Sequence, residues 1–200
     1  DPHHEQHERD RGRTRRVRAT LKAVTTTEGT PPFSFSAEGL AECKRLIARY
    51  PEGRSKSALL PILHIAQSEN DGWLSVNAMD AVAQVLGIQH IEVYEVASFY
   101  SMYNLRPIGK HLLEVCHTIP CMIRGSDDII AYIEKELNIR VGETTKDGMF
   151  TLKGVECLGS CGTAPMLQCG AKYHENLTPE KVDALLDQLR NQPRNNYTDR

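Results

Sequence analysis

Two close pairs of cysteines, Cys116 with Cys121 and Cys157 with Cys161, constrain this chain more than any other feature of its sequence. Four residues separate the first pair and three the second. Each pair follows a run that reads as a β-strand, so each is expected in a loop at a strand end. To bind one cluster, thiols presented two by two in this way require a fold that offers the two pairs on facing loops. Four thiolates, two on each iron, are the ligand set of a [2Fe–2S] cluster. Gly159, Ser160, Gly162 and Thr163 surround the second pair. Small residues there let the backbone approach sulfur closely and point amides at it. Thr118 and Pro120 sit between the cysteines of the first pair, where Pro120 limits the loop's conformations.

Other cysteine chemistries fit less well. A structural zinc site also takes four thiolates, but its pairs are more often two residues apart. A dithiol oxidoreductase would show Cys-x-x-Cys beside a helix start, which this sequence lacks. Two structural disulfides would need an oxidising compartment, and six cysteines in 200 residues are sparse for a secreted scaffold. His117, beside Cys116, raises the idea of a Rieske centre, which requires a second ligand His paired with a Cys in the binding loops. None is present, and His117 reads as a loop residue facing solvent or donating to backbone. Cys43 falls on a helical stripe and Cys169 on a strand, so both are expected as small buried apolar residues. A zinc-stapled interaction module stays open as the alternative of a different class. Colour separates the two, because a [2Fe–2S] protein is reddish-brown and zinc–thiolate is colourless.

The patterning around the cysteines predicts an α+β chain with a helical bundle first and a small α/β domain second. Ser36 is a candidate N-cap for a helix with Leu40, Cys43, Leu46, Ile47 and Tyr50 on one face, stopped by Pro51. Leu59, Ile62, Leu63 and Ala66 mark a second helix, with Pro61 near its first turn. Ser75 and Gly87 bracket a third that presents Met79, Val82, Ala83 and Leu86. A fourth is expected from Ile91 to Tyr103, rich in aromatics. Strands are then expected at His111 to Val115, Met149 to Val155 and Pro165 to Cys169. Between them, Ser126-Asp127-Asp128 should cap a helix whose inner face is Ile129, Ile130, Ile133 and Leu137. Thr178 and Pro179 begin a last helix carrying Val182, Leu185, Leu186 and Leu189. The expected division is an Arg-rich tail over 1–33, the bundle over 34–105, the cluster domain over 106–191 and a polar tail over 192–200.

Several function classes are excluded or disfavoured. A formal net charge of -2 gives no whole-chain attraction to nucleic acid or anionic membrane. The longest apolar stretch, near Ala58 to Ala66, is broken by Pro61 and His64 and is too short to span a bilayer. No Gly-x-Gly-x-x-Gly or phosphate-cradling loop is present, and no set of residues suggests hydrolysis. The first 18 residues carry six Arg against four acidic residues and read as a solvated or partner-bound tail. The start at Asp1 without Met reads either as a processed mature form or as numbering from an internal residue.

Six spaced stretches carry a resemblance to a known family. They are Arg49-Tyr50-Pro51-Glu52-Gly53, Asn70-Asp71-Gly72-Trp73-Leu74, Val93 to Tyr100, Val115 to Cys121, Val155 to Cys161 and Ala164-Pro165-Met166. Over about residues 33 to 190 the chain resembles the small thioredoxin-like [2Fe–2S] subunit of the NADH-dehydrogenase module of respiratory complex I. The resemblance implies a thioredoxin-like ferredoxin domain behind an N-terminal helical domain, with one [2Fe–2S] cluster on Cys116, Cys121, Cys157 and Cys161. It implies activity only as a subunit of NADH:ubiquinone reductase, with no substrate site of its own. The implied partner is a larger flavoprotein subunit holding NADH and FMN, within the peripheral arm and without membrane insertion. The cluster is expected near the flavin, off the main path to quinone, accepting one electron from it. The matrix side of the mitochondrial inner membrane is the expected location, with the bacterial cytoplasm as alternative. An equivalent subunit of an NAD-linked hydrogenase or formate dehydrogenase is the alternative of the same chemistry. The aromatic helix from Tyr94 to Tyr103 is a candidate for packing between domains or on the flavoprotein, beside its reading as bundle core. Many mitochondrial members continue into a Pro/Gly-rich tail, which the sequence after the last helix does not match.

Overall fold

The computed structural model describes residues 32–194. Residues 1–31 of the Arg-rich tail and 195–200 of the polar tail lie outside the described residues. Four helices come first: α1 (Ala37–Ile47), α2 (Leu59–Glu69), α3 (Val76–Leu86) and α4 (His90–Phe99). Their starts follow the expected chemistry. The Ser36 hydroxyl accepts from the Gly39 N–H at 2.9 Å, and that of Ser75 from Ala78 at 3.1 Å. Each satisfies a backbone donor that the helix itself leaves open. Pro61 stands third in α2, where its missing N–H costs nothing, behind a 3₁₀ turn at Ser55–Ala58. The four helices close on one core that includes Leu46, Ile62, Leu63, Met79, Val82 and Val93.

Two expectations in this half need correction. Leu40 and Tyr50 are 37% and 39% exposed, so the α1 stripe buries only its middle, and Tyr50 lies beyond the helix end. The fourth helix stops at Phe99 rather than Tyr103, with Tyr100 extended at ψ 119°. Tertiary contacts overrule the aromatic periodicity there. The buried Tyr103 donates its hydroxyl to the Leu60 carbonyl at 2.9 Å. Gln67 of α2 accepts from the Asn104 N–H at 2.7 Å and donates to the Met102 carbonyl at 3.2 Å, pulling the chain out of helix. The aromatic run is thereby divided: Tyr103 is core and Tyr94 packs against it, whereas Phe99 is 79% exposed.

The second half alternates strands and helices: β1 (His111–Cys116), α5 (Ile119–Ile123), α6 (Ser126–Leu137), β2 (Phe150–Val155), β3 (Leu167–Cys169), β4 (Lys172–His174) and α7 (Pro179–Arg190). The sheet order is β2-β1-β3-β4. β1 runs parallel to β2, from His111 opposite Phe150 to Cys116 opposite Val155. It runs antiparallel to β3, which pairs antiparallel with β4. Leu113 and Val115 point from β1 into a second core with Ile129, Ile133, Leu152, Val182 and Leu186. Gly109 admits the chain to the sheet, because a Cβ there would lie 2.9 Å from the Phe150 backbone. Cys43 is fully buried in the first core and Cys169 in the second, as expected.

Here too the local signals mislead in places. Gly125, at φ 93°, takes the N-cap position of α6, and Ser126 is its first helical residue, with a buried hydroxyl that meets no hydrogen-bond partner. β2 and β3 begin at Phe150 and Leu167, one and two residues later than expected, and β4 has no counterpart among the expected strands. Two polar clamps join the halves. Lys153 of β2 donates to the Ser101 carbonyl at 2.6 Å and pairs with Glu114 at 3.3 Å. Arg194 donates to the Asp71 and Gly109 carbonyls at 2.8 and 3.0 Å.

Candidate cluster-binding site

The parallel pairing of β1 with β2 ends with Cys116 opposite Val155. Both chains therefore leave the sheet at the same level, and the segments that carry the other cysteines start side by side. Cys116 is the last residue of β1 rather than a loop residue. Cys121 lies on α5, a short helix with Pro120 in its first turn, where a loop is expected from the sequence. Cys157 stands in the turn after β2, and Cys161 opens a 3₁₀ turn, Cys161–Thr163.

The two pairs differ in surroundings. Cys116 and Cys121 are 2% and 1% exposed and pack with Ala164, Met166 and the partly buried Leu158. Cys157 and Cys161 are exposed. The charges of Cys116, Cys161 and Cys157 all act on Cys121, which links the two pairs electrostatically. Burial foremost, with these neighbours, pushes the Cys121 thiol up to about 12. Burial also pushes on Cys116, but the Thr118 hydroxyl at 3.4 Å and the N–H groups of Thr118 and Leu158 outweigh it and bring that thiol down. The Gly159 N–H donates to Cys157 Sγ at 3.4 Å, and Gly159 takes φ 79°, a conformation that suits glycine.

These residues fit an iron–sulfur cluster. Two thiols on each of two segments follow neighbouring strand ends, backbone amides already point at two of the sulfurs, and apolar side chains cover one pair. Among the described residues no three His, Cys, Asp or Glu side chains lie close enough to hold one metal ion. A cluster that divides its thiolates between two irons does not require it. Of the two expectations for His117, the structure meets the one toward backbone: it follows β1 half-buried, its ring against Gly154 of β2, and its backbone N–H donates to the Val155 carbonyl.

Two residues near the second pair carry no signal in the sequence. Tyr173 of β4 donates its hydroxyl to the Leu158 carbonyl at 2.7 Å. Glu175 accepts from the hydroxyls of Ser160 and Thr163 at 2.5 and 2.6 Å. Neither stands at a telling spacing from a cysteine, and only the β3–β4 hairpin brings them there.

The chain's likenesses agree with this geometry. Residues 43–190 match the family model described as thioredoxin-like [2Fe–2S] ferredoxin. Over 159 residues the chain is 46% identical to an NADH-quinone oxidoreductase subunit of Rickettsia bellii, covering 80% of this chain and 95% of that protein. It is 48% identical over 160 residues to NADH dehydrogenase [ubiquinone] flavoprotein 2, mitochondrial, of Dictyostelium discoideum, covering 80% of this chain and 65% of that one. Among solved structures, an NAD+-reducing [NiFe]-hydrogenase in its H2-reduced state superposes with a TM-score of 0.58 at 21% identity, over 67% of this chain and 22% of that one, a likeness of fold.

Proposed function

This chain belongs to the thioredoxin-like [2Fe–2S] ferredoxin family, and from that premise we propose that it is the electron-transfer subunit of an NADH:ubiquinone oxidoreductase. One [2Fe–2S] cluster is its cofactor, with Cys116, Cys121, Cys157 and Cys161 as the proposed ligands. The observation that carries the assignment is the parallel pairing of β1 with β2, which starts the two cysteine-bearing segments side by side. Bound there, the cluster supplies one-electron exchange with the FMN of a partner NADH-binding flavoprotein subunit.

The chain's own residues do the rest. Cys116 and Cys121, backed by Met166 and Ala164, keep water from one side of the site. Amides of Thr118, Leu158 and Gly159 stabilise thiolate sulfur, which suits an acceptor that must hold negative charge. Ligands fixed by a strand end and short turns move little when charge changes. The helical unit supplies no cysteine to the group, and its separate core supports a division at 34–105 and 106–191, with tails over 1–33 and 192–200.

Among the described residues no helix is long and apolar enough to cross a membrane. The relatives are bacterial and mitochondrial. We place the subunit in the peripheral arm on the matrix side of the mitochondrial inner membrane, with the inner face of a bacterial plasma membrane as the alternative. An equivalent subunit of an NAD-linked hydrogenase or formate dehydrogenase is the second reading, although the two named relatives favour the quinone reductase. An anaerobic visible and EPR spectrum with metal and acid-labile sulfide counts tests the assignment. Equal iron and sulfide with an S = 1/2 signal on reduction is expected. Zinc without sulfide or colour would overturn it in favour of a structural module.

A further inference from the structure

Cys161 lacks what holds Cys116 and Cys121 in place. It is exposed and outside the apolar group that backs the first pair. Gly159 and Gly162 lie on either side of it, so its own stretch of chain is intrinsically loose. Polar contacts tie together the residues on either side of it instead. Oε1 of Glu175 accepts from Ser160 Oγ at 2.5 Å and from Thr163 Oγ1 at 2.6 Å. The two hydroxyls are 2.7 Å from each other, and Thr163 Oγ1 lies 3.2 Å from the Ser160 carbonyl. The chain after Glu175 secures the same stretch, with the Asn176 N–H donating to the Thr163 carbonyl at 2.7 Å and that of Leu177 to the Pro165 carbonyl at 2.9 Å.

We propose that Glu175 is a positioning residue for the cluster: one carboxylate oxygen ties Ser160 and Thr163 together across Cys161, fixes that ligand's turn, and sets a negative charge on the exposed side of the site. The proposal rests on the cluster reading above. Ser160 precedes Cys161 directly and Thr163 follows two residues later, so these contacts span the ligand as a staple would. Hydrogen bonds to an ionised carboxylate are stronger than those between neutral groups. Two of them on one oxygen give a glycine-flanked turn an order that burial does not provide. The charge has its own consequence, because a fixed anion beside a cluster opposes the arrival of an electron.

The substitutions Glu175→Gln and Glu175→Ala and the double substitution S160A/T163A separate staple from charge. The full chain carrying its cluster is measured in three ways: the rate of iron loss to a chelator, the midpoint potential by EPR-monitored titration, and far-UV circular dichroism as a check of fold. Gln keeps an acceptor oxygen without the charge, so E175Q should lose iron at a rate between those of wild type and E175A and show a raised potential. E175A should raise the potential equally and lose iron faster by roughly three- to tenfold. S160A/T163A should match E175A in rate. Wild-type rate and potential in a folded E175A overturn the proposal alone, as does an unchanged potential in E175Q. A wild-type chain holding zinc and no sulfide overturns the cluster reading and the proposal with it.

Discussion

The two cysteine segments are held in place by different physical means. Cys116 and Cys121 belong to regular elements, a central strand and a short helix, and are closed in by Met166, Ala164 and Leu158. Cys157 and Cys161 stand in exposed turns whose shape comes from hydrogen bonds: Gly159 to Cys157, Tyr173 to Leu158, and Glu175 to Ser160 and Thr163. The first pair is held by packing, so its geometry is tied to the stability of the whole α/β unit. The second is held by local polar contacts that can be altered without disturbing the core. An electron carrier gains from both, since the packed side excludes water and the exposed side is open to a partner.

The largest test of this contrast removes ligands. Alanine at any of the four cysteines should lose or cripple the cluster, measured as iron and sulfide per chain, whereas Cys43→Ser and Cys169→Ser should keep it. Full occupancy in Cys157→Ala would sink the ligand assignment, barring rescue by a substitute ligand. In the cluster-free chain the pairs should diverge: Cys121→Ala should lower the melting temperature, and Cys157→Ala should leave it unchanged. Next in size is Met166→Ala, which opens a cavity beneath the first pair. A cost of about 2–5 kcal/mol in denaturant unfolding is expected, and a cost near zero would show that packing does not hold that side.

Acid provides a third test, because His111 lies fully buried at the start of the strand that ends in Cys116. Neither ring nitrogen meets hydrogen-bond geometry. Burial lowers its proton affinity, Lys110 and Arg194 add to this, and the backbone of Leu189 and Gln192 opposes it. The folded state therefore binds this proton less readily than the unfolded chain. Its cost is absent above about pH 6.5 and grows as pH falls below that value, with a limiting slope of about 1.4 kcal/mol per pH unit. His64 and His174 are lowered by burial as well, so His111→Leu should flatten the acid limb of a melting-temperature profile only in part. An unchanged limb would remove His111 from the account. The smallest effect is expected from Tyr173→Phe, which frees the Leu158 carbonyl at a cost of about 0.5–1.5 kcal/mol. Amide exchange should quicken around Gly159 and stay unchanged along β1; quickening on both sides would dissolve the contrast.

Much of the fold is legible in the sequence because its signals are local. Ser36, Ser75 and Thr178 cap the helices that their spacing to apolar stripes predicts, each through its own hydroxyl. Glycine at 87 takes φ 65° at the end of α3 as a helix terminator should. Signals fail where distant groups compete with them. The aromatic run after Phe99 has helical periodicity, yet Gln67 and Leu60 offer its backbone and Tyr103 better partners. β4 spans three residues with two exposed, too short for any alternation to show.

Local sequence is enough to set out the pattern of this protein's cysteines: which thiols pair along the chain, which elements precede them, and which cysteines are buried in a core. Those properties rest on spacing, caps and apolar period, all of which act within a few residues. It takes the folded chain to make one pair sealed by Met166 and the other dependent on Tyr173 and Glu175. Those partners lie 45 residues beyond Cys121 in the first case and 12 to 18 residues from Cys157 and Cys161 in the second. They meet the cysteines only because β3 pairs back on β1 and β4 turns back on β3, and pairing of strands is a contact between surfaces that no short stretch of sequence contains.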